Sequence, residues 1–275
     1  DNQWRFYEFI KNWNIQNFTN DDWKEEINGE YTNKPLALKS LKKIFEILKS
    51  SNKDQEDISW ILNLYQYALK KLDNDIWLLR EYAILLNKAN KTDEAIEIYK
   101  NIILELSDQA YAWHEFANIF KDRNKLLSIS MLCKAITIQP NEDFLGEIRL
   151  DLAELLLDNE QLNEGLIELT KYKKHREEKG WKTPERFQIL FSKVSDIECS
   201  SLDNKTFYES SKLEAEEYIL SNIPSTYVVL YETFKNKEGK ERLIFTDFKD
   251  IEFVTNRKKS HSLVNAKKND VFEAK

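Results

Sequence analysis

Glycine and proline are scarce in this sequence, at 5 and 4 of 275 residues. That leaves few of the chain-reversing residues on which an all-β or loop-rich enzyme fold relies, and it points to a mainly helical body. The two cysteines, Cys133 and Cys199, are far apart in helix-like sequence, so neither a disulfide framework nor a closely spaced thiolate metal site is indicated. No stretch approaches the roughly 18 continuous apolar residues of a membrane-spanning helix. No secretory segment opens the chain, so a cytoplasmic protein without membrane contact is the default expectation. The three histidines, His114, His175 and His261, fall in no metal-spaced cluster. Gly-rich phosphate loops, a Gly-x-Ser-x-Gly elbow and a His-Glu-x-x-His helix are missing as well. The expectation is a non-catalytic protein with no catalytic residue, no metal ligand and no cofactor.

What is abundant is charge and apolar bulk. Hydrophobic residues at 41% and charged residues at 32% describe a folded, soluble chain rather than a disordered one. The formal net charge is -7, which argues against wrapping nucleic acid with the whole surface. The charge is uneven: residues 224–275 hold 11 Lys/Arg against 8 Asp/Glu, a net of +3, which leaves -10 on residues 1–223. Asn17-Phe18-Thr19 and Asn204-Lys205-Thr206 fit the glycosylation acceptor pattern, which is expected by chance in a chain so rich in asparagine.

The dominant signal is an internal repeat. Leu79, Tyr82, Ala83 and Leu86 set an apolar helix face that Trp113, Phe116, Ala117 and Phe120 restate 34 residues later, and Leu152, Ala153 and Leu156 follow after a further 36. A second helix accompanies each copy. Thr92-Asp93-Glu94-Ala95 reads as a capped start, continued by Ile98, Tyr99 and Ile102; the matching places are then taken by Ser128, Leu132 and Ala135, with Pro140 as a stop, and by Gly165, Leu169 and Tyr172. Small residues at 83, 95, 117, 128, 153 and 165 are what a close helix crossing requires.

On these residues the chain resembles the tetratricopeptide repeat superfamily. Trp113-x-x-Phe116-Ala117-x-x-Phe120 with Ala135 and Pro140 is the best copy, and Leu79-x-x-Tyr82-Ala83-x-x-Leu86 with Ala95 and Tyr99 is close behind. The third copy departs, with Arg149 at the leading large position and Tyr172 where a small residue is usual. The resemblance spans about residues 75–179. It implies a mainly α, tetratricopeptide-like right-handed helical solenoid. Residues 35–48 and 56–72 read as a further helix pair, with Ile61, Tyr65 and Ala68 at second-helix spacing. Beyond the repeats, Thr183-Pro184-Glu185 reads as a hydroxyl cap with Pro at the first helical position, and Leu213, Tyr218, Ile219 and Leu220 suggest a last helix.

The ends differ. Trp4, Phe6, Tyr7, Phe9, Ile10 and Trp13 make an aromatic opening helix, expected to cover the first repeat with Phe18 and Trp23. After Pro224, residues 226–234 and 241–246 are β-prone around a turn-like segment, and residues 251–255 could supply a third strand. The expected organisation is therefore an aromatic N-terminal cap at 1–34, a repeat array at 35–179, terminal helices at 180–223 and a small C-terminal β-rich module at 224–275.

In a solenoid of this kind the first helix of each pair lines a concave groove, so the resemblance implies a non-catalytic scaffold that binds a peptide or protein segment there. Helix geometry puts Trp77, Arg80, Ile84, Asn87 and Lys88 on that face, then Tyr111, His114, Asn118, Lys121 and Asp122, then Glu147, Leu150, Glu154, Leu157 and Asp158. Candidate peptide-binding residues are Trp77, Arg80, Asn87, Lys88, Tyr111, His114, Asn118, Lys121, Glu154 and Asp158. Some family members clamp a C-terminal carboxylate with Lys and Asn residues; here Ile84 stands where an Asn would be wanted beside Arg80. An alternative is an RNA- or DNA-contacting adaptor that uses Arg257, Lys258, Lys259, Lys267 and Lys268, with His261 beside them and Phe245 or Phe253 for stacking. A second alternative is a structural linker between effector domains, whose groove would be filled by its own segments. Neither the partner's identity nor the oligomeric state is encoded in any of these signals.

Overall fold

The computed structural model of the chain describes residues 2–29, 31–49, 55–73, 75–197, 203–257 and 263–274. Cys199, Lys258, Lys259 and His261 lie outside the described residues. Eleven α-helices, three short 3-10 helices and six strands are described, and the chain divides into two compact units, residues 1–216 and 217–275. Helix α1 (Asn2–Trp13) and a short hairpin, β1 (Glu26–Asn28) with β2 (Tyr31–Asn33), precede four helix pairs. These are α2 (Leu36–Lys49) with α3 (Gln55–Lys71), α4 (Ile76–Lys88) with α5 (Thr92–Glu105), α6 (Ala110–Phe120) with α7 (Lys125–Ile138), and α8 (Gly146–Asp158) with α9 (Leu162–Glu178). Then come α10 (Glu185–Ser192), α11 (Lys205–Leu220), which crosses the division between the units, and strands β3 (Thr226–Lys235), β4 (Glu241–Thr246), β5 (Glu252–Thr255) and β6 (Val271–Ala274).

The helix boundaries have local causes. Asp75 caps α4 by accepting the Trp77 and Leu78 amides at 3.0 Å each, and Asn124 accepts from Leu127 N at α7. After α4 and α8 the chain reverses through left-handed residues, Asn90 (φ 61°) and Glu160 (φ 60°). The following amides, Lys91 N and Gln161 N, donate back to Leu86 O and Leu156 O at 2.9 Å, so the last carbonyls are satisfied. Thr92 is therefore not the cap of α5 but its first residue, and its hydroxyl donates to Asn87 Oδ1. Pro184 likewise sits at the cap of α10 rather than inside it, while Thr183 Oγ1 accepts from Gln188.

Within each pair the helices meet on the small residues. Ala83, Ala95, Ala117 and Ala153 are fully buried, and Ser128 Oγ donates to Ala117 O at 2.8 Å across its crossing. At Gly165 a β-carbon would come within 2.7 Å of Leu157 Cδ2 and 3.1 Å of its Cγ, so a methyl group at the third crossing would force the Leu157 side chain to shift. Between pairs, a tyrosine on the second helix donates to a glutamate on the next first helix. Tyr65 reaches Glu81 at 2.6 Å and Tyr99 reaches Glu115 at 2.5 Å, two bonds displaced by one repeat length. Burial raises the pKa of both phenols well above the ordinary tyrosine value, so they remain protonated donors.

At the third step that pair becomes Cys133 and Arg149, and the joint changes. Arg149, 4% exposed, donates to Glu168 Oε2 on α9 at 2.5 Å and to both carboxylate oxygens of Glu142 at 2.8 and 3.0 Å. Glu168 also accepts from Tyr208 and from Asn204 Nδ2, which tie α11 to α9. Asn204 is buried, so its glycosylation pattern is filled by structure. Phe187, Leu190 and Val194 seat α10 on Leu150, Leu157, Leu169 and Tyr172. Leu213 in α11 is 57% exposed, and Tyr208, Ala215 and Ile219 carry the buried side of that helix instead.

At the other end, α1 buries Tyr7 edge-on to Trp60, with the Tyr7 hydroxyl on Asp57 Oδ1 at 2.6 Å, while Phe18 and Trp23 continue the aromatic contacts to Tyr67. In the second unit the sheet is antiparallel in the order β5-β4-β3-β6, with a bulge between Leu230 and Glu232 and Gly239 (φ 73°) in the β3–β4 turn. Its core is Val228, Leu230, Leu243, Phe245 and Ala266.

The seam gives a direct test. Gly165→Ala is expected to lower stability in urea unfolding by about 1–3 kcal/mol through overpacking. Gly146→Ala, whose added carbon meets only Tyr172 at an ordinary 3.5 Å, is expected to stay within about 0.5 kcal/mol of the parent.

Candidate functional site

The first helices present polar side chains along one surface of the helical unit, and the repeat spacing brings several of the expected residues together. A cavity of about 340 Å³ is lined by Ile84 and Asn87 from α4, His114, Glu115, Asn118 and Ile119 from α6, Glu147 and Asp151 from α8, and Arg186 from α10. Asn87, His114 and Asn118, all expected on this surface, share that cavity. Trp77 and Arg80 line a neighbouring cavity of about 160 Å³, in which Lys34, Leu38, Lys39, Lys42, Phe45, Glu46, Leu78 and Glu81 also take part. Tyr111 stacks its ring on Trp77, with the Arg80 guanidinium 5.1 Å above it.

Five expected residues, Lys88, Tyr111, Lys121, Glu154 and Asp158, line neither cavity. The Lys88 ammonium donates to Leu48 O at the end of α2, and burial lowers its pKa. Asp158 stands 3.8 Å from Lys125 at the start of α7. On α8 the inward face matches the sequence assignment at Glu147 and departs from it at Leu150 and Leu157. Leu150 and Leu157 are buried in the core with α10, whereas Glu147 and Asp151 face the cavity.

Most charges of the groove are paired with one another. Arg80 makes a two-pronged contact with Glu115 at 2.5 and 2.8 Å, and Glu115 also accepts the Tyr99 hydroxyl. Although burial opposes it, the Glu115 bond keeps the guanidinium firmly protonated. Further along, His114 Nε2 lies 2.5 Å from Asp151, and Lys121 lies 2.7 Å from Glu154. Arg186 reaches both acids, Asp151 at 2.5 Å and Glu154 at 2.7 Å, and Glu147 at 3.6 Å. Burial would raise the two acids, but the bonds from His114, Lys121 and Arg186 prevail and hold both carboxylates below their ordinary range. Asn118 is exposed with no hydrogen bond to another described residue, and Asn87 uses only its carbonyl oxygen, for Thr92.

Arg186, Asp151 and the α2 lysines were missed in the sequence. Asp151 has the helical spacing of Glu147 and Glu154, which was a usable signal; Arg186 lies in a helix outside the repeat and carries none. Of the basic C-terminal residues, Arg257 donates to Glu241 Oε2 at 2.6 Å and to Leu263 O and Ala266 O, so it anchors a turn. Lys268 lies 5.5 Å from the Tyr231 ring, the Lys267 amide donates to Asp270, and Phe245 is buried. No group of three or more His, Cys, Asp or Glu that could hold a metal ion occurs among the described residues, and none of their helices is long and apolar enough to cross a membrane.

Arg186→Met should expose how α10 is held. Because Asp151 and Glu154 have depressed folded-state pKa values, their contribution is fully present above the unfolded carboxylate range, about 4, and is lost as pH falls through the lower folded values. Urea unfolding of the parent and variant is expected to differ at neutral pH and to converge as the pH drops below that range.

No curated protein matches the chain. Among solved structures it is similar to "MamA RS-1 ArsTM double mutant", at 13% identity and a TM-score of 0.43, and to "Crystal structure of MamA protein", at 14% and 0.38. Each likeness covers 68% of this chain and 97% of the other. Neither is close enough to transfer a ligand. A family match covers residues 76–215, just over half the chain and the whole stretch from α4 through the Arg149–Glu168–Tyr208 network. On that match the chain belongs to the family described as "Domain of unknown function (DUF7017)".

Proposed function

We propose that the helical unit is a tetratricopeptide-like right-handed solenoid that acts as a non-catalytic scaffold and holds an extended peptide or protein segment along its first helices. The observation that carries this reading is the cavity of about 340 Å³ lined from α4, α6, α8 and α10, in which the amide nitrogens of Asn87 and Asn118 are left without an acceptor among the described residues. An extended segment offers a carbonyl or amide at each residue, and two side-chain amides on successive repeats can bond that backbone without selecting its sequence. The ion pairs around them supply fixed geometry rather than attraction. Their charges are already neutralised within the protein, so the floor of the groove is pre-formed and little ordering is lost on binding. The nucleic-acid alternative has less support, since Arg257 is engaged by its own turn and Phe245 is buried.

Random dodecapeptides selected on the intact chain and then titrated by fluorescence anisotropy test this. Asn87→Ala/Asn118→Ala is expected to weaken the selected peptides about tenfold, as befits the loss of two hydrogen bonds, with the circular dichroism melt unchanged. Equal affinity for the parent and the folded double variant would contradict the groove assignment.

A further inference from the structure

The groove has one end where positive charge is not neutralised. In the smaller cavity between α2 and α4, Lys34, Lys39 and Lys42 are exposed and make no ion pair with any described residue. They stand beside Trp77, which is 44% exposed and whose ring is backed by Tyr111 and by the Arg80 guanidinium at 5.6 Å. Two acids share the lining. Glu81 is buried and takes the Tyr65 hydroxyl; Glu46 is exposed. Arg80 is neutralised by Glu115, and a local excess of cations therefore remains on the three lysines. At the far end of the groove Glu147 is the acid left most exposed, with 72% of its side chain in solvent, 3.6 Å from Arg186.

Resting on the groove reading above, we infer that this end is a recognition pocket for the acidic side chains of the bound segment, with an apolar residue of that segment laid against Trp77. The chemistry is charge complementarity on flexible ammonium groups, which suits carboxylates at variable spacing, combined with an aromatic face that holds a neighbouring side chain. A segment with Asp or Glu at the α2 end and neutral or basic residues toward Glu147 is matched in both position and polarity.

The test uses the intact chain, random dodecapeptides with amidated C-termini, and the variant Lys34→Gln/Lys39→Gln/Lys42→Gln, whose exposed substitutions leave the core untouched. Selected peptides are expected to be enriched in Asp and Glu, to bind the triple variant about tenfold more weakly, and to lose that difference at high salt, as exposed ion pairs do. Peptides that are not acid-enriched, or that bind the triple variant equally well while still depending on Asn87 and Asn118, overturn the pocket and leave the groove standing. Failure of the intact chain to select any peptide overturns both. Displacement of the selected peptides by a single-stranded oligonucleotide, lost in the triple variant, overturns the proposal in favour of phosphate recognition.

Discussion

Arg149 and Glu168 bury opposite charges, with side chains 4% and 0% exposed, and loss of Arg149 would leave Glu168 in the core with only the neutral donors Tyr208 and Asn204 bonded to it. The pair replaces the tyrosine-to-glutamate bond that joins the earlier repeats, and it changes what is joined. Glu168 collects Tyr208 and Asn204, which brings α11 against the back of α9, and Arg149 collects Glu142 from the turn before α8. With Arg149 turned inward, α8 is set so that Leu150 and Leu157 meet α10 and the acids at 147 and 151 point into the groove. Arg186 can then reach across to close that end.

Internal pairing also explains why the groove is polar yet nearly neutral at its centre. Glu115 is recruited twice, by Tyr99 as an inter-repeat joint and by Arg80 as its counter-charge, so a residue type usually read as solvent-facing serves packing. Tyr99 stacks on Phe116 beneath it, which fixes the donor. The proposed segment would meet the groups that packing leaves over, the amides of Asn87 and Asn118 and three lysines with a tryptophan at the α2 end. A binding surface of this kind is shaped by its internal ion pairs but draws its affinity elsewhere.

The repeat was legible because the helix crossings demand small residues at a fixed spacing, and Ala83, Ala117 and Ala153 report that demand directly. Strand β6 was not legible: Val271–Ala274 pairs with β3 only through tertiary contact, and four residues carry no pattern of their own. Nor was the first hairpin, whose strands are three residues each. The groove was half legible. Periodicity placed Asn87, His114, Asn118 and Glu147 on one surface, but it also turned Leu150 and Leu157 inward, and both are buried against α10. Side chains from outside the repeat, Arg186 above all, reach the groove through the packing of α10, which no spacing encodes.

Hydrogen exchange on the intact chain, with and without a selected peptide, addresses the scaffold reading most directly. The account predicts added protection in α2, α4, α6 and α8, strongest around Trp77, Asn87 and Asn118, with α5, α7 and the sheet unchanged. Protection confined to β3–β6, or to the second helices of the repeats, would contradict it.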